Sequence, residues 1–210
     1  MSARLFKGLF LVFNRFTPYS FLFLSLYFTL LSSLFSVLNF YLFWIIIELC
    51  MLLFIGFCFS TFSSGVSSLI IYFLVQTVAS FSLFLFYIIR IPFFFSLFLV
   101  FKLSMFPFHS WFLSVVYSFS NFGLFLVSSF HKLPSFLLLV YFPSFLSLSV
   151  FSLSSIFSLL FSCSLMLFTS DFRILILSSS VGNNSWFFFS SYSLHVFLLF
   201  FIVYCFSVCF

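Results

Sequence analysis

Residues 40–59 read FYLFWIIIELCMLLFIGFCF and carry one charged side chain, Glu48. A run of this length matches the roughly 20 apolar residues that a helix needs to cross a bilayer. The same character extends along the chain, because 65% of its 210 residues are hydrophobic and 4% are charged. Soluble domains carry about a quarter charged residues, and disordered chains are polar and highly charged. The sequence therefore predicts a membrane protein.

The expected architecture is all-α, because lipid offers the backbone no hydrogen-bond partner outside a helix. At roughly 20 residues a span, the chain accommodates about eight transmembrane helices. The expected spans cover residues 20–38, 40–59, 67–89, 93–117, 120–139, 144–168, 173–189 and 191–210. Pro107 lies inside the fourth span, so we expect that helix to be kinked or broken there.

Residues 1–19 form a basic N-terminal segment, with three cations and no acid: Arg4, Lys7 and Arg15. This composition favours an amphipathic helix at the membrane surface or a transit-like segment. Cations concentrate in loops on the inner side of a membrane. If the N-terminus is inside, Arg173 also lies inside and only Arg90 lies outside. We therefore expect the N-terminus on the matrix side of a mitochondrial inner membrane.

The mitochondrial assignment depends on phenylalanine, which accounts for 46 of the 210 residues. Insertion scales do not favour Phe over Leu, so a membrane does not require this bias. Thymine-rich codons encode Phe, Leu, Ser and Ile, and the bias therefore indicates an organellar gene.

Composition also excludes several classes of function. The net charge of +5 comes from scattered cations and forms no basic stripe, so we expect no nucleic-acid partner. The five cysteines show no CxxC pair and no metal spacing, so we expect no metal site. The three histidines offer no paired haem ligands, and the five glycines form no phosphate-binding loop. We expect no cofactor bound by this chain.

Three charged side chains lie well inside the expected spans: Glu48, Lys102 and Lys132. Each costs about 2.5–3.5 kcal/mol at a helix centre on insertion scales, and such residues by default mark an ion or proton path. Glu48 and Lys102 lie on different expected helices, and we expect them to form an ion pair. Lys132, with His131 beside it, would be the next proton-binding group along the path. A Glu–Lys–Lys series can pass charge by exchanging partners. The alternatives are a static ion pair or a lysine that reaches the membrane surface.

The densest motif is FKLSMFPFHSW at residues 101–111. A lysine five residues before a helix-breaking proline is typical of a discontinuous helix that lines a hydrated cavity. A simple proline kink is the alternative. His109 in this motif is a further candidate relay. Tyr72, Gln76 and Ser80 share one helix face, which either contacts the water path or holds helices together.

Five local motifs, in the same order, resemble subunit 2 of the NADH dehydrogenase of respiratory complex I. The most specific is KLSMFPFHSW at residues 102–111, which is similar to the family's Lys-Leu-Gly-x-x-Pro-Phe-His-x-Trp. The other four are WIIIE at residues 44–48, YFLVQTVAS at 72–80, HKL at 131–133, and Ser179-Ser180 with Trp186 after Arg173-Ile174.

The resemblance implies an antiporter-like subunit of the membrane arm, with a first helical repeat over residues 20–139 and a partial second repeat over 140–210. Glu48, Lys102 and Lys132 would be its proton-channel residues, with Glu48 paired to Lys102 and Lys132 as the connecting lysine. The subunit would hold no redox centre. NADH, FMN, iron–sulfur clusters and ubiquinone would act in neighbouring subunits of the same enzyme.

Two departures from the family pattern qualify this expectation. Gly182-Asn183-Asn184-Ser185 replaces the family's usual histidine in the seventh span, and the second broken helix with its lysine is missing. Either a second polypeptide completes the fold or part of the proton path is lost. A structural scaffold of the membrane arm that does not pump, and a stand-alone cation/proton antiporter subunit, are the alternative functions.

Overall fold

The apolar segments of the sequence fold as helices. The computed structural model describes residues 18–61, 66–191 and 193–209, and within them it contains no strand. The α-helices are α1 (Pro18–Ser33), α2 (Phe40–Thr61), α3 (Val66–Ile89), α4 (Pro92–Lys102), α5 (His109–Val116), α6 (Asn121–Ser128), α7 (Leu133–Tyr141), α8 (Leu148–Phe168), α9 (Phe172–Ser190) and α10 (Leu194–Cys209). Short 3-10 turns occur at Leu34–Ser36, Phe130–Lys132 and Pro143–Phe145.

The prediction of an all-α, membrane-embedded protein is confirmed. Among the described residues, five helical segments are long and apolar enough to cross a membrane: Pro18–Ser36, Phe40–Thr61, Val66–Ile89, Asn121–Tyr141 and Leu148–Phe168. Large apolar side chains such as Leu160 and Leu199 are exposed along the helices, as lipid-facing residues are in a membrane. A total of about eight crossings stays a prediction.

The chain divides into two units, residues 1–69 and residues 70–210. In the first unit α1 packs against α2. The two helices approach closely at Gly56, where an added Cβ would lie 3.1 Å from Cε1 of Phe23. The rings of Tyr27 and Phe54 lie 6.4 Å apart in the same interface. Residues 1–17 of the predicted basic segment lie outside the described residues.

In the second unit α8 and α9 pack along faces of small side chains. The hydroxyl oxygens of Ser158 and Ser185 lie 2.6 Å apart. One turn away, an added Cβ on Gly182 would lie 2.6 Å from Oγ of Ser162. Small residues let helix backbones approach in a membrane, where packing and hydrogen bonds replace the hydrophobic effect as the source of association. Gly182 therefore sets the separation of these two helices.

Arg173 fixes the start of α9. Its guanidinium donates to the carbonyl of Tyr117, at 3.1 Å, and to Oδ1 of Asn121, at 3.2 Å. Tyr117 ends α5 and Asn121 begins α6, so one side chain anchors α9 beside the connection between the two helices. The rest of α9 is largely buried within the second unit.

Two of the expected spans are interrupted. The break predicted near Pro107 is present between α4 and α5. The span expected over residues 120–139 is helical and long enough to cross a membrane. It is not one uninterrupted α-helix, because α6 ends at Ser128 and α7 begins at Leu133 after a 3-10 turn. Pro134 explains this break, since proline has no N–H and its ring clashes with the carbonyl four residues earlier in a helix.

We predict that Gly182→Val lowers the free energy of unfolding by about 1–3 kcal/mol, the usual cost of overpacking a tight contact. The measurement is a denaturant titration of the full chain in detergent micelles. The loss should be smaller in a Ser162→Gly background, because the valine would then have room. An equal loss in both backgrounds would show that Gly182 does not act through Ser162.

Candidate functional site

The site begins at the break between α4 and α5. Helix α4 ends at Lys102, and α5 begins at His109. Between them Ser104 has a φ of 56°, a left-handed conformation that ends the helix, and the Phe106–Pro107 peptide bond is cis. A helix that stops inside a bundle leaves its last carbonyls without partners in the helix, so other groups must satisfy them.

Side-chain amides from two other helices contact two of the carbonyls at this end, those of Lys102 and Leu103. Nδ2 of Asn184, on α9, donates to the carbonyl of Leu103 at 2.7 Å. Nε2 of Gln76, on α3, approaches the carbonyl of Lys102 at 3.5 Å. Both amides are buried. The polar face predicted on α3 therefore includes one side chain that contacts the broken end of α4.

Lys132 lies at the second break, in the 3-10 turn before α7, and only 6% of its surface is exposed. Its ammonium donates to three acceptors on α9: the carbonyl of Ser180 at 3.3 Å, the Ser180 hydroxyl at 3.3 Å and Oδ1 of Asn184 at 3.1 Å. It also lies 4.6 Å from the centre of the Phe112 ring. An ammonium has three N–H donors. The three acceptors therefore match a protonated lysine.

Helix α9 supplies these acceptors because Ser180 and Asn184 are separated by four residues and share one face. Asn184 is fully buried and uses both ends of its amide, since its oxygen accepts from Lys132 while its nitrogen donates to Leu103. One side chain therefore connects the two helix breaks. We call Lys132, Ser180, Asn184 and the Leu103 carbonyl the lysine cluster.

Lys102 and His131 lie near one another. Lys102 is buried, with 8% of its surface exposed, at the last position of α4. Its charge acts on the imidazole of His131. The His131 ring lies 5.7 Å from the ring of Tyr72. The structure thus places His131 within electrostatic range of one predicted lysine and next in sequence to the other.

Glu48 lies on α2, in the first unit. Its Oε1 atom is buried and has no hydrogen-bond partner among the described residues. A buried acceptor without a donor carries a desolvation cost. Lys102 belongs to the second unit, and the Glu48–Lys102 pair stays a prediction.

His109 lies among aromatic rings at the start of α5. Its ring centre is 3.6 Å from that of Phe161 and 5.9 Å from that of Phe106. Its Nδ1 atom is buried without a hydrogen-bond partner among the described residues. Its part in a proton relay stays a prediction.

Sequence reasoning missed the role of Ser180 and treated Asn184 only as a departure from a motif. A signal existed, because Ser180 and Asn184 place two polar side chains on one face of an expected span. The hydroxyl of Tyr204, on α10, was also missed, and it donates to the carbonyl of Ser128 at 3.1 Å, near the end of α6. In an apolar chain, buried polar side chains spaced by one helical turn mark such contacts.

Among the described residues, no group of His, Cys, Asp and Glu could hold a metal ion. Of the cysteines described there, Cys58 and Cys163 are free thiols. The site therefore contains amines, amides, hydroxyls and imidazoles, which exchange protons and hydrogen bonds.

Comparison with known proteins adds no relative. No protein-family model matches the chain, and no curated protein matches it. The resemblance to subunit 2 of respiratory NADH dehydrogenase therefore depends on the local motifs, above all on residues 102–111.

We predict that Ser180→Ala lowers the free energy of unfolding by about 1.5–3 kcal/mol, the usual value of a hydrogen bond to a charged group. The loss should shrink in a Lys132→Met background, since the ammonium that needs the hydroxyl is absent. Ser179→Ala is the matched control, because the Ser179 hydroxyl donates only within α9, to the carbonyl of Ile176. Equal losses in both backgrounds would contradict a bond between Ser180 and Lys132.

Proposed function

We propose that the chain is a core membrane-arm subunit of the proton-pumping NADH:ubiquinone oxidoreductase, complex I, and that it contributes a proton path through Glu48, Lys102 and Lys132. The observation that carries the proposal is the buried Lys132 ammonium, held at a helix break by three acceptors of α9. An ionisable residue inside a membrane bundle marks an ion or proton path by default. The five local motifs supply the link to complex I.

The mechanism is electrostatic. Redox chemistry in other subunits alters the pairing of Glu48 with Lys102, and the changed charge at Lys102 acts on His131 and Lys132. A proton then moves between the two lysines through transient water. His131 is the candidate relay on this route, because it lies near Lys102 and directly precedes Lys132 in the chain. His109 is a further relay candidate beside the first break.

The remaining parts of the enzyme lie in other chains. NADH, FMN, the iron–sulfur clusters and ubiquinone bind to other subunits, and the energy of electron transfer reaches this chain through helix contacts. Partners are other membrane-arm subunits and lipid. The proposed location is the mitochondrial inner membrane, with the N-terminus on the matrix side.

A scaffold subunit that does not pump is the second candidate. One observation favours it, because the three acceptors satisfy all three donors of the Lys132 ammonium. A fully satisfied lysine can hold α7 against α9 without releasing its proton. The two candidates differ in whether Lys132 must lose its proton during turnover.

Lys132→Arg separates the two candidates. Arginine keeps the positive charge and can donate to the same acceptors, but it holds its proton throughout the physiological range. We predict that Lys132→Arg and Lys102→Met lower the number of protons moved per electron in inner-membrane vesicles, while the complex still assembles. Arg90→Gln, a cation at the exposed turn between α3 and α4, is the control. An unchanged ratio with Lys132→Arg would favour the scaffold.

Membership of complex I has a direct test. We predict that this chain co-migrates with NADH dehydrogenase activity when gently solubilised inner membranes are separated on a native gel and the active band is analysed by mass spectrometry. Migration away from the active band would contradict the proposal and favour a stand-alone transporter.

A further inference from the structure

We infer that Asn184 is a positioning residue that ties the charge on Lys132 to the broken end of α4. The inference rests on the proposed function, because it names how a change at Lys132 reaches the segment between α4 and α5. It concerns contacts inside the second unit alone. The side-chain amide of Asn184 links Lys132 to residues 103–108, so the conformational order of this backbone segment depends on Lys132.

The amide of Asn184 has only one workable orientation. Its Oδ1 faces the ammonium of Lys132, which can only donate, and its Nδ2 faces the carbonyl of Leu103, which can only accept. A flipped amide would set donor against donor and acceptor against acceptor. Since the side chain is fully buried, losing either bond would leave a buried polar group without its partner. Lys132 and Leu103 together therefore fix the orientation of the amide.

The two contacts of Asn184 differ in strength with the charge on Lys132. Hydrogen bonds from a charged donor are roughly twice as strong as those between neutral groups. A charged Lys132 therefore holds the amide firmly, and the amide holds the Leu103 carbonyl at 2.7 Å. Loss of the charge weakens the first bond and frees the amide to move with Leu103.

Ser180 can adapt to a neutral lysine, whereas Asn184 cannot. In the structure the Ser180 hydroxyl donates to the carbonyl of Leu177 at 2.7 Å while it accepts from Lys132. A hydroxyl hydrogen can rotate, so the same group could donate to the lone pair of a neutral amine. The Leu103 carbonyl prevents the equivalent change at Asn184. The effect of the charge is therefore passed on by Asn184.

Hydrogen–deuterium exchange of a peptide covering residues 103–108 tests this inference in the detergent-solubilised complex. Four backbone bonds protect the segment, including those from Met105 N to the carbonyl of Val100 and from Phe108 N to the carbonyl of Met105. We expect Lys132→Met to accelerate exchange there by about three- to tenfold, the size of effect typical of residues coupled through one network. In an Asn184→Leu background, which already exchanges fast, Lys132→Met should cause no further acceleration.

Asn183→Leu is the matched control, because it makes the same substitution at the neighbouring position of α9, outside the lysine cluster. The acceleration by Lys132→Met should persist in that background. If Asn184→Leu prevents assembly, Asn184→Asp replaces it, since an ionised aspartate still accepts from Lys132 but offers no donor to Leu103. The same acceleration by Lys132→Met with and without the Asn184 substitution would overturn the inference, as would no acceleration at all.

The outcomes also separate this inference from the proposed function. Normal proton pumping by the lysine variants, together with the expected exchange pattern, would refute the proton path and leave the positioning role intact. Reduced pumping, together with hydrogen exchange that Lys132→Met accelerates equally with and without the Asn184 substitution, would support the proton path and refute the positioning role.

Discussion

The second unit of this protein depends on a positive charge buried in an apolar bundle. An isolated ammonium at the centre of a membrane helix is costly, so the fold must supply oxygen atoms around Lys132. It does so by ending one helix early, at Ser128, and by turning one face of α9 toward the gap. The break and the polar face therefore belong with the lysine, because α9 supplies the acceptors that offset the cost of burying its charge.

Helix α9 uses one set of residues to contact Lys132 and another to pack on α8. Ser180 and Asn184 accept hydrogen bonds from Lys132, while Gly182 and Ser185 pack on α8. The middle of α9, residues 178–185, reads SSSVGNNS and consists almost entirely of small and polar residues. This explains why α9, with 19 residues, is not among the helices apolar enough to qualify as spans by composition. A helix enclosed by other helices can be this polar, because its hydrogen-bond partners come from protein.

The sequence predicted those features that produce a strong local signal. A charge inside an apolar run is such a signal, and it identified Lys102 and Lys132. Pro107 predicted the first break because it follows a long apolar run. Pro134 lies inside the span expected over residues 120–139 and is the local signal for the second break. Ser180 and Asn184 act through contacts that are 48 and 52 residues from Lys132 along the chain, a separation that no local pattern reveals.

The serine content of the chain shows how composition can hide structure. A thymine-rich gene produces serine at many positions without regard to packing, so no single serine carried weight in the sequence. In the structure, however, Ser158 and Ser185 meet across the α8–α9 contact, and Ser162 limits the space above Gly182. A one-residue slip of α9 would rotate its side chains by about 100°. The slip would remove the small residues from α8 and the acceptors from Lys132 together, so the helix packing that fixes the fold also fixes the register of the site.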